Sequence, residues 1–175
     1  MKTILLAASA IAFSGLSQAQ DPLTYDAKTS YAIISGFFVR ATEEMPEENY
    51  SFKPAPTARA FGQIVGHIAD NQYMWCSAVK EEKKESNIEE TVTSKADLVA
   101  QLKKAVAYCD SVYASFHDSD AAAKINAFGR ERTKLSTLYF NTGHIYEHYG
   151  NLATYMRMKG LVPPVERKEQ VGLLD

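Results

Sequence analysis

Apolar side chains recur at helical spacing through four stretches of the chain, and no stretch alternates apolar and polar residues far enough to read as a strand. Tyr31, Ile34, Phe37 and Phe38 mark the first, from about Tyr25 to Glu44, and Met45-Pro46 ends it. Pro54 and Pro56 forbid a continuing helix in the following loop. Thr57 stands where it would cap a second helix reaching about Lys83, with Phe61, Ile64, Ile68, Trp75 and Val79 on its apolar face. The charged run from Lys80 to Glu90 reads as a solvated helix end and connection. Thr93 or Ser94 opens a third helix, with Asp97 in its first turn and Leu98, Leu102, Ala105, Val106, Cys109 and Val112 on its buried stripe. A connection at Asp118-Ser-Asp-Ala-Ala-Ala and a loop around Phe128-Gly129-Arg130 lead to the last helix, from about Thr133 to Lys159. Gly160 and Pro163-Pro164 stop it, and residues beyond Val165 read as a polar tail. The pattern predicts an all-α fold, most simply a four-helix bundle with negligible strand.

The first nineteen residues carry a different pattern. Lys2 gives a short basic start, Ile4 to Phe13 are apolar, and Ser17-Gln18-Ala19 offers small residues for cleavage before Gln20. This is a secretory signal pattern, so the expected mature domain is residues 20–175, exported as a periplasmic or secreted protein. The apolar run is short for a membrane span, and no later segment approaches the required length, so no stable span is expected after cleavage. Roughly 156 residues then form one domain with a real core. Losing Lys2 moves the formal charge from −2 to −3, and no Arg/Lys stripe is present, which argues against a nucleic-acid partner. Cys76 and Cys109 are the only cysteines. In an oxidising compartment they can form one disulfide; equally, they read as two small buried hydrophobes on separate helices.

Candidate chemistry concentrates in histidine. In Thr142-Gly-His144-Ile-Tyr-Glu-His148-Tyr-Gly150 two imidazoles stand four residues apart on one helix, a spacing at which both can hold one divalent ion. At 100° per residue they fall on the shoulder of the stripe made by Leu138, Ile145, Tyr149, Leu152 and Met156. Asn141 and Tyr155 share their direction. His67 falls on the shoulder of the second helix's apolar face, with Asp70 and Asn71 close by along the same helix. Three imidazoles on inner shoulders can meet between helices. The competing reading is a chance pair and a hydrogen-bonded core histidine. Glu147 precedes the second histidine and points away, so this is not the protease motif that needs Glu directly after the first. His117, beside Asp118 at the end of the third helix, reads as a surface residue outside the site.

Pro54-Ala-Pro56-Thr57-Ala-Arg59-Ala-Phe61-Gly62-Gln63-Ile64-Val65-Gly66-His67-Ile68-Ala69, together with Gly143-His144-Ile-Tyr-Glu-His148-Tyr-Gly150 and Arg157-Met-Lys-Gly160-Leu-Val-Pro163-Pro164, resembles the DinB-like superfamily over nearly the whole mature chain. The resemblance implies a bundle of up-down-down-up topology with a three-histidine metal site. By position its ligands are His67, His144 and His148, and the ion is zinc or nickel. It also implies parallel second and third helices, with Cys76 and Cys109 at similar heights. Some members are transferases or isomerases using low-molecular-weight thiols.

Three neutral imidazoles leave a divalent ion its full charge and an open position, which suits hydrolysis or thiol attack on an electrophile. The expected function is thus a metal-dependent hydrolase or thiol-type transferase with a small-molecule substrate. Asp70, Asn71, Asn141 and Tyr155 are candidates to support the ligands or line a pocket. No general base, phosphate loop or dinucleotide fingerprint is legible. The alternative is a non-catalytic bundle that binds a metal or a partner, with a homodimer as one form.

Overall fold

Five α-helices, three single-turn 3₁₀ helices and one hairpin make up the described residues, 21–167, of the computed structural model. The expected leader, residues 1–19, and the end of the tail, 168–175, lie outside the described residues. The helices are α1 (Pro22–Glu44), α2 (Phe61–Lys80), α3 (Ile88–Thr91), α4 (Lys95–Ala114) and α5 (Lys134–Met158). The strands are β1 (Lys124–Ala127) and β2 (Arg130–Thr133).

Local chemistry sets most of these bounds. Pro22 occupies the first turn of α1, where its missing N–H costs nothing. The Asp118 carboxylate reaches back from far along the chain to accept the Leu23 and Thr24 amides at 3.2 and 2.8 Å. Ser94 caps α4 by accepting the Asp97 amide, and Thr133 caps α5 by accepting that of Ser136, each at 3.1 Å. Gly160, at φ +75°, lets the chain leave α5.

Helix α2 departs from the expectation at both ends. Thr57 lies in a turn closed by the Ala58 amide on the Ala55 carbonyl, and the N-cap is Ala60, whose amide is held by Gln63 Oε1 at 2.8 Å. Anchoring of the loop by Phe61 N–H on Phe52 O and Gly62 N–H on Tyr50 O fixes the later start. At the other end the helix stops at Lys80, three residues before the expected limit, where Glu81 turns into the left-handed region at φ +58°. The charged connection beyond it is not solvent-facing throughout. Ile88 is buried, and it seats the one-turn α3 against α2.

The expected loop at Phe128-Gly129 is a two-residue hairpin turn. Phe128 and Gly129 both have positive φ, the conformation that joins twisted antiparallel strands, and Ile125 and Ala127 face inward on β1. This small hairpin is the one β element among the described residues, and the fold remains all-α in class.

The helix directions follow from paired ends. Gly62 meets Leu98 near the starts of α2 and α4, and Cys76 meets Cys109 near their ends, so these two run parallel. His67 meets His144 while Gln72 meets Asn141, so α5 runs against α2. Tyr31 in the first half of α1 stacks on Tyr113 near the end of α4, at 4.1 Å between centroids. The Lys95 ammonium at the start of α4 donates to the carbonyl of Met45, just past the end of α1, at 2.8 Å. The order is therefore up-down-down-up. Phe38, Phe61, Ile64, Ile68, Leu98, Leu102, Leu138 and Ile145 fill the core. Through its centre runs a buried polar layer, in which Gln72 and Asn141 exchange amide hydrogen bonds at 3.2 Å and the Tyr113 hydroxyl donates to the Leu138 carbonyl. Cys76 and Cys109 are joined as a disulfide with Cα atoms 5.5 Å apart. No helix among the described residues is long and apolar enough to cross a membrane.

Candidate metal centre

The antiparallel crossing of α2 and α5 brings three imidazoles together. His144 Nε2 lies 3.4 Å from His67 Nε2 and 3.1 Å from His148 Nε2. One nitrogen from each ring falls within 4.8 Å of the others. Tetrahedral coordination at about 2.0–2.1 Å per bond places ligand nitrogens about 3.3 Å apart, so the observed separations suit a single ion. His148 is buried, and His67 and His144 are partly covered.

Hydrogen bonding alone does not satisfy this cluster. With its ring neutral, His67 donates Nδ1–H to Glu89 Oε2 at 2.8 Å, which leaves Nε2 as a lone pair facing His144 and the Asn71 amide. The close contacts to His67 and to His148 share the same His144 Nε2. If that atom carries a proton, it can donate to His67 but cannot accept from His148; if it carries a lone pair, the reverse holds. Neutral rings therefore leave one of the two contacts unmade. His144 Nδ1 is also buried without a partner. A cation that accepts the three Nε2 lone pairs removes the conflict between these two contacts, so the three-histidine cluster can hold a metal ion.

Electrostatics favour the neutral rings that metal binding needs. Burial, then the charges of His144, His67 and Arg59, push His148 down to about 4. Burial and His67 lower His144 as well. Burial acts to raise Glu89, but hydrogen bonds from Arg59 and His67 outweigh it and hold the carboxyl below its ordinary range. In the unfolded chain His148 regains its ordinary value near 6.5, so between there and about 4 the unfolded state binds more protons. Metal-free protein is therefore expected to hold this share of its stability above pH 6.5 and lose it as the pH falls toward 4. Thermal melts of chelator-stripped protein across that window test this, and a flat melting temperature would contradict it.

Glu89 escaped the sequence reading because it sits in a run of acidic residues that looks solvated. It is placed by Asp70, whose two carboxylate oxygens accept the Ile88 and Glu89 amides at 2.8 and 2.9 Å and so cap α3. Asp70 thus acts on the site through Glu89. Asp70→Ala is expected to cost about 0.5–2 kcal/mol, the usual loss for a cap. Chemical denaturation would measure it; an unchanged midpoint would mean that α3 holds without its cap.

The other singled-out residues fall in different places. Asn71 donates to the His67 carbonyl at 2.7 Å and lies 3.2 Å from its Nε2. The hydrogen bonds of Asn141 run to Gln72, Tyr113 and the cystine sulfurs, beneath the site rather than in it. Tyr155 donates to the Arg59 carbonyl at 3.0 Å and lines a cleft with His148, and burial raises its hydroxyl pKa. His117 is exposed and bonds Asp21 at the start of α1. Glu147 is exposed beside His144, in a shallow cavity with Tyr139 and Phe140. Arg59, which no local pattern marks, donates through Nε to Glu89 Oε1 at 2.7 Å.

The fold recurs in known proteins. The uncharacterized protein YjoA of Bacillus subtilis is 27% identical over 122 residues, covering 67% of this chain and 79% of that protein. Its crystal structure aligns with a TM-score of 0.64 at 22% identity, over 77% of this chain and 92% of that one. A DinB-like protein from Bacillus cereus aligns at 0.70 and 20% identity, over 80% and 95% of the two chains. The mycothiol-dependent maleylpyruvate isomerase shares the fold at 0.60 and 13% identity; the match covers 76% of this chain and 65% of the isomerase. A sequence profile of the DinB superfamily matches residues 38–152, about two thirds of the sequence and a span that contains all three clustered histidines. The chain belongs to the DinB superfamily.

Proposed function

We propose that this chain is an exported metal-dependent enzyme in which His67, His144 and His148 hold one divalent ion, zinc or nickel, for hydrolysis or thiol-type transfer on a small substrate. The observation that carries it is the convergence of three Nε2 atoms whose contacts neutral imidazoles cannot all satisfy. Held by three neutral ligands, such an ion supplies Lewis acidity at an open position.

The protein's own groups have separable tasks. Glu89 fixes the His67 tautomer and ring plane by accepting Nδ1–H, the arrangement that strengthens a histidine ligand. Asp70 holds Glu89 through the α3 amides. Burial keeps His144 and His148 unprotonated at neutral pH. Glu89 engages Arg59 with one oxygen and His67 with the other, so it is a positioning residue. Tyr155, with its pKa raised, stays protonated and donates to the Arg59 carbonyl.

Two observations bear on the reaction and the compartment. The shared fold with a mycothiol-dependent isomerase supports thiol-type transfer. The Cys76–Cys109 disulfide supports an oxidising compartment, where hydrolysis needs no supplied thiol. The decisive experiment is metal analysis of protein recovered from its native compartment, since overexpression in the cytosol can load the wrong ion. About one zinc or nickel per chain is expected for a three-histidine site. Protein that stays metal-free even after loading with both ions would overturn the proposal. Turnover of ester, amide and thiol-electrophile substrates by the loaded protein then separates the two reactions from a site that binds without catalysis.

A further inference from the structure

Arg59 is pinned at both ends. It precedes the N-cap of α2, and its carbonyl accepts the Tyr155 hydroxyl at 3.0 Å. Its Nε is tied to Glu89 at 2.7 Å, which fixes the side chain while the Nη groups make no hydrogen bond to the described residues. The side chain is 45% exposed, so those donors are open to a ligand.

Two cavities meet at this residue, and their charges differ. The larger, about 870 Å³, contains Glu47, Glu48, Glu89 and Glu90 and repels anions. The smaller, about 240 Å³, is lined by Thr57, Arg59, Asn151 and Tyr155, has His148 in its wall and contains no acidic side chain. A guanidinium is a permanent cation whose parallel donors match a carboxylate. An anion in the smaller cleft therefore faces Arg59 and neutral polar groups, beside one of the three clustered histidines. The volume is below the range of about 300–1,000 Å³ typical of drug-sized ligands, which restricts the occupant to a small molecule.

We infer that this cleft takes small ligands bearing both a carboxylate and a metal-coordinating donor atom, with Arg59 binding the carboxylate while the donor reaches the three-histidine centre. The inference rests on the metal reading above and adds the substrate class and the residue that selects it.

Cobalt-loaded full-length protein, titrated with 3-mercaptopropionate and with its methyl ester and followed by visible absorption, tests it. The two probes share the thiol donor and differ in the negative charge. Wild type should bind the acid about ten-fold or more tighter, the range of one charge-assisted hydrogen-bonded contact. Arg59→Gln should reduce that preference to within about two-fold. Because this change also leaves Glu89 without its cation, Arg59→Gln combined with Glu89→Gln restores the local charge balance and should not restore the preference. Arg59→Lys keeps the charge but not the fork, and should lose several-fold of the preference even if the glutamine variant does not fold. Equal binding of acid and ester by wild type, a preference undiminished in either single variant, or its recovery in the double variant would overturn the inference. Wild type that takes up no cobalt instead removes the metal reading itself, whereas cobalt-loaded protein blind to the carboxylate removes only this inference.

Discussion

Replacing His148 by alanine is expected to abolish tight metal binding and leave the bundle folded. The ring supplies one of three nitrogens, and its Nε2 lies 3.1 Å from that of His144. The remaining pair, one histidine on α2 and one on α5, cannot fix an ion with the same geometry. Losing a partner of a ligand already costs about 10–100-fold in metal affinity, so losing the ligand itself should cost more than about 100-fold. Folding should survive, because alanine has high helix propensity and the site lies on the shoulder of the core rather than in the Leu102, Leu138 and Ile145 layer. Zinc present at 100 times its dissociation constant stabilises a native state by about 2.7 kcal/mol, so it should raise the melting temperature of wild type and not of the variant. Chelator-competition titration gives the affinity and circular dichroism the fold. His117→Ala is the control: that ring is exposed and bonded to Asp21, and its loss should leave metal affinity unchanged. A variant that retains one equivalent of metal after dialysis against chelator would remove His148 from the centre.

What could be read from the sequence follows the range of the interactions. The opening of α4 at Thr93 or Ser94, the start of α5 near Thr133 and the stops at Met45-Pro46 and Gly160 are encoded within a few residues, and the structure puts the caps at Ser94 and Thr133. The apolar stripes of α2 and α4 are periodic, so their buried faces were legible too. The start of α2 was not, because Ala60 has no capping side chain and its position depends on backbone bonds to Tyr50 and Phe52. The hairpin was hidden by strands of four residues and by a turn built on Phe128-Gly129, where an Asn-Gly or Asp-Gly pair would have announced it. At the site, the spacing of His144 and His148 is local, but their meeting with His67 is tertiary: the helical wheel allowed it, and the family resemblance assigned the three as ligands. Glu89 and Arg59 left almost no signal. The single trace was Ile88, an apolar residue in the charged run, whose burial turns out to dock the glutamate next to it.

That docking makes Gly66 the position where a single methyl group should do most harm. A Cβ built there lies 2.7 Å from Glu89 Cα and 2.9 Å from its amide nitrogen, with Ile88 C at 3.2 Å. All three are backbone atoms, so no rotamer change relieves the clash and α3 must move off α2. Moving it stretches the Asp70 bonds to the Ile88 and Glu89 amides and withdraws the carboxylate from both His67 and Arg59. Gly66→Ala is therefore expected to cost about 1–3 kcal/mol from overpacking, offset by up to about 1 kcal/mol of helix propensity. Metal affinity should fall by about 10–100-fold, because His67 loses the group that orients it. Two comparisons isolate the cause. Gly150→Ala, with nothing within 4 Å of its Cβ, should be neutral or stabilising by up to about 1 kcal/mol. Glu89→Gln should weaken metal binding with little loss of stability, since Ile88 still seats α3. Gly66→Ala should show both losses together, measured by denaturant unfolding of the metal-free protein and by chelator competition. If it matches wild type in both, α3 does not sit against α2, and the support of His67 by Glu89 falls with it.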